Sequence, residues 1–379
     1  VHFHGTPGEV VVIAAFAISD DEGMTDVDPF AKPASSDPRP VNARSILLSV
    51  SGMVTALGLA VLTVLPAPYS INRPGPTFNI FDDSSGASLL SIEGAQTYHP
   101  SGELRITTVS VSFGSSSALS FGPILRAWLS PSAAVYPEIH QEGSSAIQEQ
   151  WVTSQERATV AALKHLGIEV GATITVVDFQ PSSHAIGQLK LDDVIVSVNG
   201  RDISTFDDLD SAFRVLQPGD LVTVGVLRDG SEVSLTFPTI DNGSGGAVMG
   251  IWVDPTFDFP FDVTVAIDNV GGPSGGMMFA LGVIDLLTPE DELNGVDVAG
   301  TGTIDIDESV GPIGGIDLKM IGARDDGASW FLAPAANCPE VVGHVPDGLT
   351  VVAVNTLEDA YYAIVAIGKG EAGDLPSCS

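Results

Sequence analysis

The chain has 379 residues, 48 acidic against 15 basic, a formal net charge of −33 and 44% hydrophobic residues. Such a charge repels a phosphate backbone and excludes a nucleic-acid partner or a basic patch for anionic lipid, while the apolar share is ample for the cores of two or three domains. With two cysteines, no GxxxxGK[ST] string and no HExxH string, a multi-disulfide scaffold, a four-cysteine zinc site and a P-loop nucleotide site are excluded, and no metal or other cofactor is expected.

Residues 1–44 are polar and rich in Pro and Ser from Pro29 to Pro40, which predicts a disordered tail. The apolar run 10–18 is too short to span a bilayer and lacks a preceding basic residue. Met24 opens an ordinary polar tail, so residues 1–23 are expected to be an over-extended gene start. Residues 46–65 are apolar and follow Arg44, with no further charge until Arg73. Twenty helical residues reach about 30 Å, the thickness of the hydrocarbon core. A transmembrane helix is therefore expected over 45–66. Lys32, Arg39 and Arg44 precede it, which places the tail in the cytoplasm and everything after Pro66 outside.

Residues 67–103 read as linker and extended chain. LRITTVSVSF (104–113) alternates and is rich in β-branched residues, a strand. A short helix is expected over 119–129, and a longer one over 151–166, stopped by Gly167. From 168 to 240 short strands follow one another, with a helix over 205–216 capped by Thr205 and a hairpin at Asp229-Gly230.

The string LKLDDVIVSVNGRDISTFDDLDSAF within that stretch resembles the core of a bacterial PDZ domain. The resemblance implies a mainly β domain that binds an extended peptide, with the loop Leu166, Gly167 and Ile168 near the peptide's terminal carboxylate. A Leu-Gly pair also ends many helices. Gly243–Gly246 reads as a flexible joint, and from 245 to 368 strands alternate with helices, an α/β layer pattern. Residues 369–379 form a polar tail.

Two strings in this last part carry chemistry. Gly271-Gly272-Pro273-Ser274-Gly275-Gly276 puts Ser274 after a strand and at the opening of a helix. Amides at Gly272 and Gly275 are placed to stabilise an oxyanion. The same string is an ordinary helix cap in other settings, and it also fits G-x-S-x-G, which would need an Asp and then a His downstream; only His344 follows. In Gly311-Pro312-Ile313-Gly314-Gly315-Ile316-Asp317-Leu318-Lys319, Lys319 is one of five lysines and stands among apolar neighbours. Burial would lower its pKa and leave a neutral amine able to take a serine proton; an exposed lysine lying along an apolar face is the alternative.

GGPSGG, AGTGTID, VGPIGGIDLKMIGARDDGA and FLAPAANC, in that order, resemble the proteolytic domain of Lon-type proteases. By that resemblance Ser274 is the nucleophile, Lys319 the base of a Ser–Lys dyad and Thr301 a hydroxyl that positions the dyad. The strand 104–113 and the helix before Gly167 resemble the first part of the same domain (104–167), so the PDZ domain is an insertion. Gly271, Gly275 and Thr303 depart from the Lon pattern of Asp, Ala and Glu. Anchor, PDZ stretch, GGPS and lysine together resemble the membrane-anchored PDZ–Lon-like proteins of Gram-positive bacteria, which share the GTGTID variant.

The resemblance implies an α/β (α+β) protease domain with an inserted PDZ domain, cleaving unfolded or flexible polypeptides outside the cytoplasmic membrane without nucleotide. A non-catalytic membrane-tethered PDZ adaptor is the alternative. Asp305, Asp307 and Glu308 read as a solvated hairpin turn, since no EF-hand pattern completes them. Cys338 and Cys378, on an oxidising side of the membrane, are expected to pair in one disulfide.

Overall fold

The computed structural model describes residues 43–64, 69–81, 88–112, 121–130, 132–137, 144–266 and 271–378. The expected tail over 1–42 and the gene-start question lie outside them. The helices are α1 (Ala43–Val64), α2 (Phe121–Trp128), α3 (Ser144–His165), α4 (Phe206–Arg214), α5 (Gly276–Leu287), α6 (Ile316–Asp325), α7 (Cys338–Val341) and α8 (Leu357–Gly368).

Helix α1 forms on the apolar segment, and Leu47, Leu48, Met53 and Leu57 are exposed. Among the described residues no helix is long and apolar enough to cross a membrane, which differs from the span expected over 45–66.

The larger sheet has six strands in the spatial order Thr350–Val354, Trp330–Pro334, Asp297–Gly300, Glu103–Ser112, Tyr69–Asn79 and Ala134–Pro137. The first four are parallel and the last two antiparallel to their neighbours. Chain from before the PDZ-like stretch (103–112) thus pairs with chain from after it (297–300). Residues 330–334 and 350–354 are nearly continuous apolar runs, as strands covered on both faces must be. Helix α5 is buried along almost its whole length and packs with Trp151, Ala158, Ala161 and Ala162 of α3 and with Ala360, Ile364 and Ile367 of α8 in the main core. A helix apolar all round needs partners on every side, and it has them.

The reading of 67–103 as linker is corrected. Tyr69–Asn79 is an internal strand of the sheet, and Leu90–Glu93 pairs with Asp262–Val265. Pro74, Gly75 and Pro76 hide the first strand from a propensity reading, because prolines cannot donate to a ladder. The register shifts between Pro74 and Thr77, so the prolines sit at an irregularity in the pairing. A Cβ on Gly75 would come within 2.7 Å of the Thr108 backbone; only glycine allows the two strands to approach there.

The second sheet runs Ile251–Asp258, Gly171–Phe179, Val194–Val198, Leu221–Arg228 and Ser231–Pro238. Asp229 (φ 50°) and Gly230 (φ 76°) make the tight turn between the last two strands. Thr205 caps α4 in a capping box with Asp208. Two boundaries move. The strand 251–258, expected in the catalytic half, pairs with 171–179 and closes the PDZ-like sheet. Gly243–Gly246 is a turn rather than a joint: Asp241 and Asn242 accept its amides and Ile240–Asp241 pairs with Ala247–Val248.

Cys338 and Cys378 form a disulfide with Cα atoms 5.0 Å apart. Ala353 N–H donates to the Pro376 carbonyl at 2.8 Å, so the chain end lies along the edge strand 350–354 instead of trailing free.

Helix α6 lies against the strand 69–79 so closely that a Cβ on Gly322 would sit 2.6 Å from the Gly75 carbonyl oxygen. In an isolated helix Gly→Ala gains about 1 kcal/mol. Here the methyl meets backbone that cannot rotate away, so overpacking at about 1–3 kcal/mol outweighs the gain. Gly322→Ala should lower the thermal midpoint; an unchanged or raised midpoint in a melting curve contradicts this packing.

Candidate active site

Ser274 stands in a single turn of 3₁₀ helix (Pro273–Gly275) that runs straight into α5. Gly272 precedes it with φ 85° and ψ 161°, a conformation that non-glycine residues avoid. Gly275 and Gly276 are both buried; a Cβ on Gly276 would lie 2.9 Å from Ile304 Cγ2 and 3.0 Å from Ser154 Oγ. The glycines therefore let the helix start press against the hairpin of Thr303–Ile304 with Val310–Gly311.

The Ser274 carbonyl accepts from Thr301 Oγ1 at 3.0 Å and from Gly302 N–H at 2.9 Å. A carbonyl and the following N–H share one planar peptide and point opposite ways. Pinning the Ser274 carbonyl thus aims the Gly275 N–H to the other side. That amide opens a helix, where amides have no intrahelical partner. Ser154 of α3 donates to the Pro273 carbonyl at 3.2 Å and fixes the preceding peptide in the same way.

Lys319 comes from the first turn of α6, which starts after Gly315 in a left-handed conformation (φ 70°). Its side chain is 3% exposed. Nζ lies 2.8 Å from Ser274 Oγ and 2.9 Å from Thr301 Oγ1. Thr301, itself fully buried, spends its hydroxyl proton on the Ser274 carbonyl, so its oxygen faces Lys319 as an acceptor. One amine hydrogen is thereby committed to Thr301 and the amine is held against Ser274. Burial alone pushes the Lys319 pKa down from 10.5 to about 8.

A groove of about 720 Å³ opens on the pair, with Ser274, Gly275, Gly314 and Lys319 at one end and Trp151, Phe78 and residues 106–111 along it. The strand 103–112 pairs with 297–300 only as far as Ile106; beyond it, among the described residues, no strand occupies that side. A second cleft of about 560 Å³ lies across Pro273, walled by Ser154, Arg157, Thr303, Asp305 and Ser309.

Ser274, Lys319, Thr301, Gly272 and Gly275 come together in space. The His344 amide donates to the Val341 carbonyl at 3.0 Å in a turn after α7. Ser154 was missed, because a serine inside an amphipathic helix carries no signal of its own. Leu166, Gly167 and Ile168 need correction. Their amides donate to the carbonyls of Ala162, Lys164 and Leu163 at 3.1, 2.9 and 2.8 Å, with Gly167 at φ 73°. This is the C-terminal cap of α3, so these amides are not available to a carboxylate. Asp305, Asp307 and Glu308 shape a turn in which Asp305 N–H binds the Ser309 carbonyl and Glu308 has φ 70°.

The depressed lysine has a consequence for stability. Between about pH 8 and 10.5 the unfolded chain holds a proton on Lys319 that the folded chain has released, so this group's contribution rises with pH across that window and is lost below it. The full difference corresponds to on the order of 3 kcal/mol. Asp285, buried beside Glu292 and held above the carboxylate range by burial and by that neighbour, acts in the opposite sense, so the lysine is isolated by difference. The stability of wild type minus that of Lys319→Met, from denaturant melts, should rise from pH 7.5 to 10.5; a flat difference means the amine is not desolvated.

Residues 151–239 match the PDZ domain family, and residues 265–366 match the Lon protease (S16) C-terminal proteolytic domain. Neither matched family is an ATPase module. Lon protease 1 of Sorangium cellulosum is 35% identical over 151 residues, covering 38% of this chain and 18% of that protein. The periplasmic pH-dependent serine endoprotease DegQ of Escherichia coli is 33% identical over 94 residues, covering 24% of this chain and 20% of that protein. The chain thus spans about a fifth of the length of these relatives. The PDZ domain of the SdrC-like protein (Lmo2051) from Listeria monocytogenes aligns with 21% of this chain and 86% of its own at 16% identity and a TM-score of 0.20. The chain carries a PDZ domain joined to a Lon-type proteolytic domain, and over that part it is similar to Lon proteases.

Proposed function

We propose that the chain is a serine endopeptidase working through a Ser274–Lys319 dyad. The observation that carries this reading is the desolvated Lys319 amine 2.8 Å from Ser274 Oγ at the end of an open groove. A substrate in extended form lies along the free side of residues 107–111 as an added strand. Ser274 Oγ attacks the scissile carbonyl as Lys319 takes its proton. The oxyanion is held by the Gly275 amide at the helix start. Lys319 then hands the proton to the leaving amine, and water releases the acyl group by the same relay in reverse. Thr301 keeps the amine in line throughout.

No nucleotide-driven unfolding step enters this reading, so the substrates are flexible or already unfolded segments. The PDZ domain contributes substrate recognition. The non-catalytic adaptor reading has no use for a lysine buried at the cost of its charge beside a serine.

The location is a further part of the proposal: the apolar segment 46–65 anchors the chain in the cytoplasmic membrane with the chain after it outside. The support is the exposed apolar surface of α1 and the disulfide between Cys338 and Cys378, which suits an oxidising compartment. Carbonate-resistant partition with membranes, together with absent alkylation of Cys338 and Cys378 in intact cells, is expected; release by carbonate and two free thiols contradict it.

Ser274→Ala and Lys319→Ala should each abolish cleavage of an unfolded protein such as reduced casein, and the double variant should be no worse than either. Near-normal turnover by Lys319→Ala rules out the dyad. Only the neutral amine accepts the serine proton, so kcat/KM should rise through about pH 8, the value to which burial brings Lys319. A profile already flat below pH 7 contradicts that assignment.

A further inference from the structure

The PDZ domain presents a groove of about 390 Å³ between residues 167–170 and the start of α4. Its floor is apolar, made by Val160, Val170, Phe206, Phe257 and Ile306. Val160 belongs to α3, Phe206 to α4 and Phe257 to the strand 251–258, and Val170 directly precedes the strand 171–179. Ile306 comes from the Thr303–Gly311 hairpin of the protease domain and is 6% exposed.

The same hairpin holds the active site. Five residues before Ile306, Thr301 touches both Lys319 Nζ and the Ser274 carbonyl. Gly302 N–H donates to that carbonyl, and the Gly302 carbonyl accepts from Met277 N–H in α5. Ile304 packs on Gly276 at the helix start. Thr303, Asp305 and Ser309 wall the cleft across Pro273. At most about 17 Å of extended chain separates Thr301 from Ile306. One short, hydrogen-bonded element therefore has its base in the dyad and its tip in the peptide groove.

The chemistry of the groove restricts its occupant. The amides of Leu166, Gly167 and Ile168 are consumed by the α3 cap, so a C-terminal carboxylate does not find these three donors. The two basic groups on the rim are already matched: Lys164 binds Asp207 at 2.8 Å and Arg201 binds Asp208 at 3.0 Å. Glu169 on the rim and Asp307 and Glu308 at the hairpin tip remain to give the site a negative field.

We propose that the PDZ groove takes an internal, extended peptide segment bearing an apolar residue among basic ones, and that its occupancy acts on Ser274 and Lys319 through Ile306. This rests on the proteolytic reading above. The apolar side chain of the peptide seats against Ile306, Phe206 and Phe257. Seating repositions the hairpin tip, and the hairpin carries the change to Thr301 and so to the amine. Binding at one site and catalysis at the other are then linked by one element whose position both sites bias.

The test uses the full chain and two probes. An N-terminally fluorescein-labelled, C-amidated octapeptide of alternating lysine and valine is titrated into Ser274→Ala, beside the same peptide with a free carboxylate and a glutamate–valine counterpart. The amidated and free-acid forms should bind within about threefold of each other, and the acidic peptide and the groove-filling variant Ser211→Trp should each weaken binding by about tenfold or more. In the active chain, saturating unlabelled lysine–valine peptide should change kcat on a separate fluorogenic substrate by about fivefold. Competition at the active site would alter KM and leave kcat alone. The kcat ratio with and without peptide should fall toward one in Ile306→Ala and persist in Ile306→Val. A free carboxylate favoured tenfold or more, equal binding of the acidic peptide, or an unchanged kcat at saturation each overturns the inference. Proteolysis that still depends on Ser274 and Lys319 in those cases leaves the dyad standing and rejects the coupling alone.

Discussion

The molecule is organised around one buried amine. Lys319 is 3% exposed and, among the described residues, has no carboxylate partner; its hydrogen bonds go to two hydroxyls. Burying a lysine this way is unfavourable in its charged form, and a salt bridge would relieve the penalty while raising the pKa again. Hydroxyl partners do something different. They satisfy the amine's hydrogen bonds without supplying a charge, so desolvation stands as the cause of the shift. The arrangement is useful only if Ser274 cannot drift from the amine, and most of the local structure serves that requirement.

Three separate elements fix the pair. Helix α6 brings Lys319 and lies hard on the strand 69–79 through the Gly322–Gly75 approach. Helix α5 brings Ser274 and is enclosed on all sides by α3, α8 and the sheet. The crossover after 297–300 brings Thr301, whose own N–H is tied to the Leu332 carbonyl of the neighbouring strand. Two helix starts therefore meet over the C-terminal end of a parallel strand, with Thr301 as the hub. Parallel strands end in one direction, so residues just past them collect at one edge of the sheet.

That Ser274 and Lys319 are neighbours was legible because glycines surround them: GGPSGG and GPIGGIDLK mark places where backbone packs too closely for a side chain, whereas Thr301 was marked only by the resemblance to Lon-type proteases. The strands 330–334 and 350–354 were legible as apolar runs. The strand 69–79 was not, since PRPGPT reads as loop and only the tertiary partner Thr108 explains its glycine. Gly243–Gly246 looked like a joint because glycine signals both flexibility and tight turns; the acceptors Asp241 and Asn242 decide between them. Leu166-Gly167-Ile168 followed a family pattern that the end of α3 had already claimed for its cap. Ile306, one apolar residue between two aspartates, gave no hint that it faces another domain.

The insertion point explains why it does. The PDZ stretch leaves the protease domain at the C-terminus of α3 and returns through the strands 251–258 and 262–265, the second of which pairs with 90–93. α3 is thus common to both parts: Trp151 and Ala158 sit in the protease core, Ser154 holds the Pro273 carbonyl, and Val160 and Leu163, barely a turn further on, face the cluster with Val170 and Ile306. A domain attached by one flexible linker could bind peptide without the protease registering it. A domain inserted between two chain crossings, with a helix and a hairpin tip shared across the boundary, has no such freedom. Movement at its groove must be absorbed by α3, by the hairpin, or by both, and each of these makes a hydrogen bond to the turn that carries Ser274.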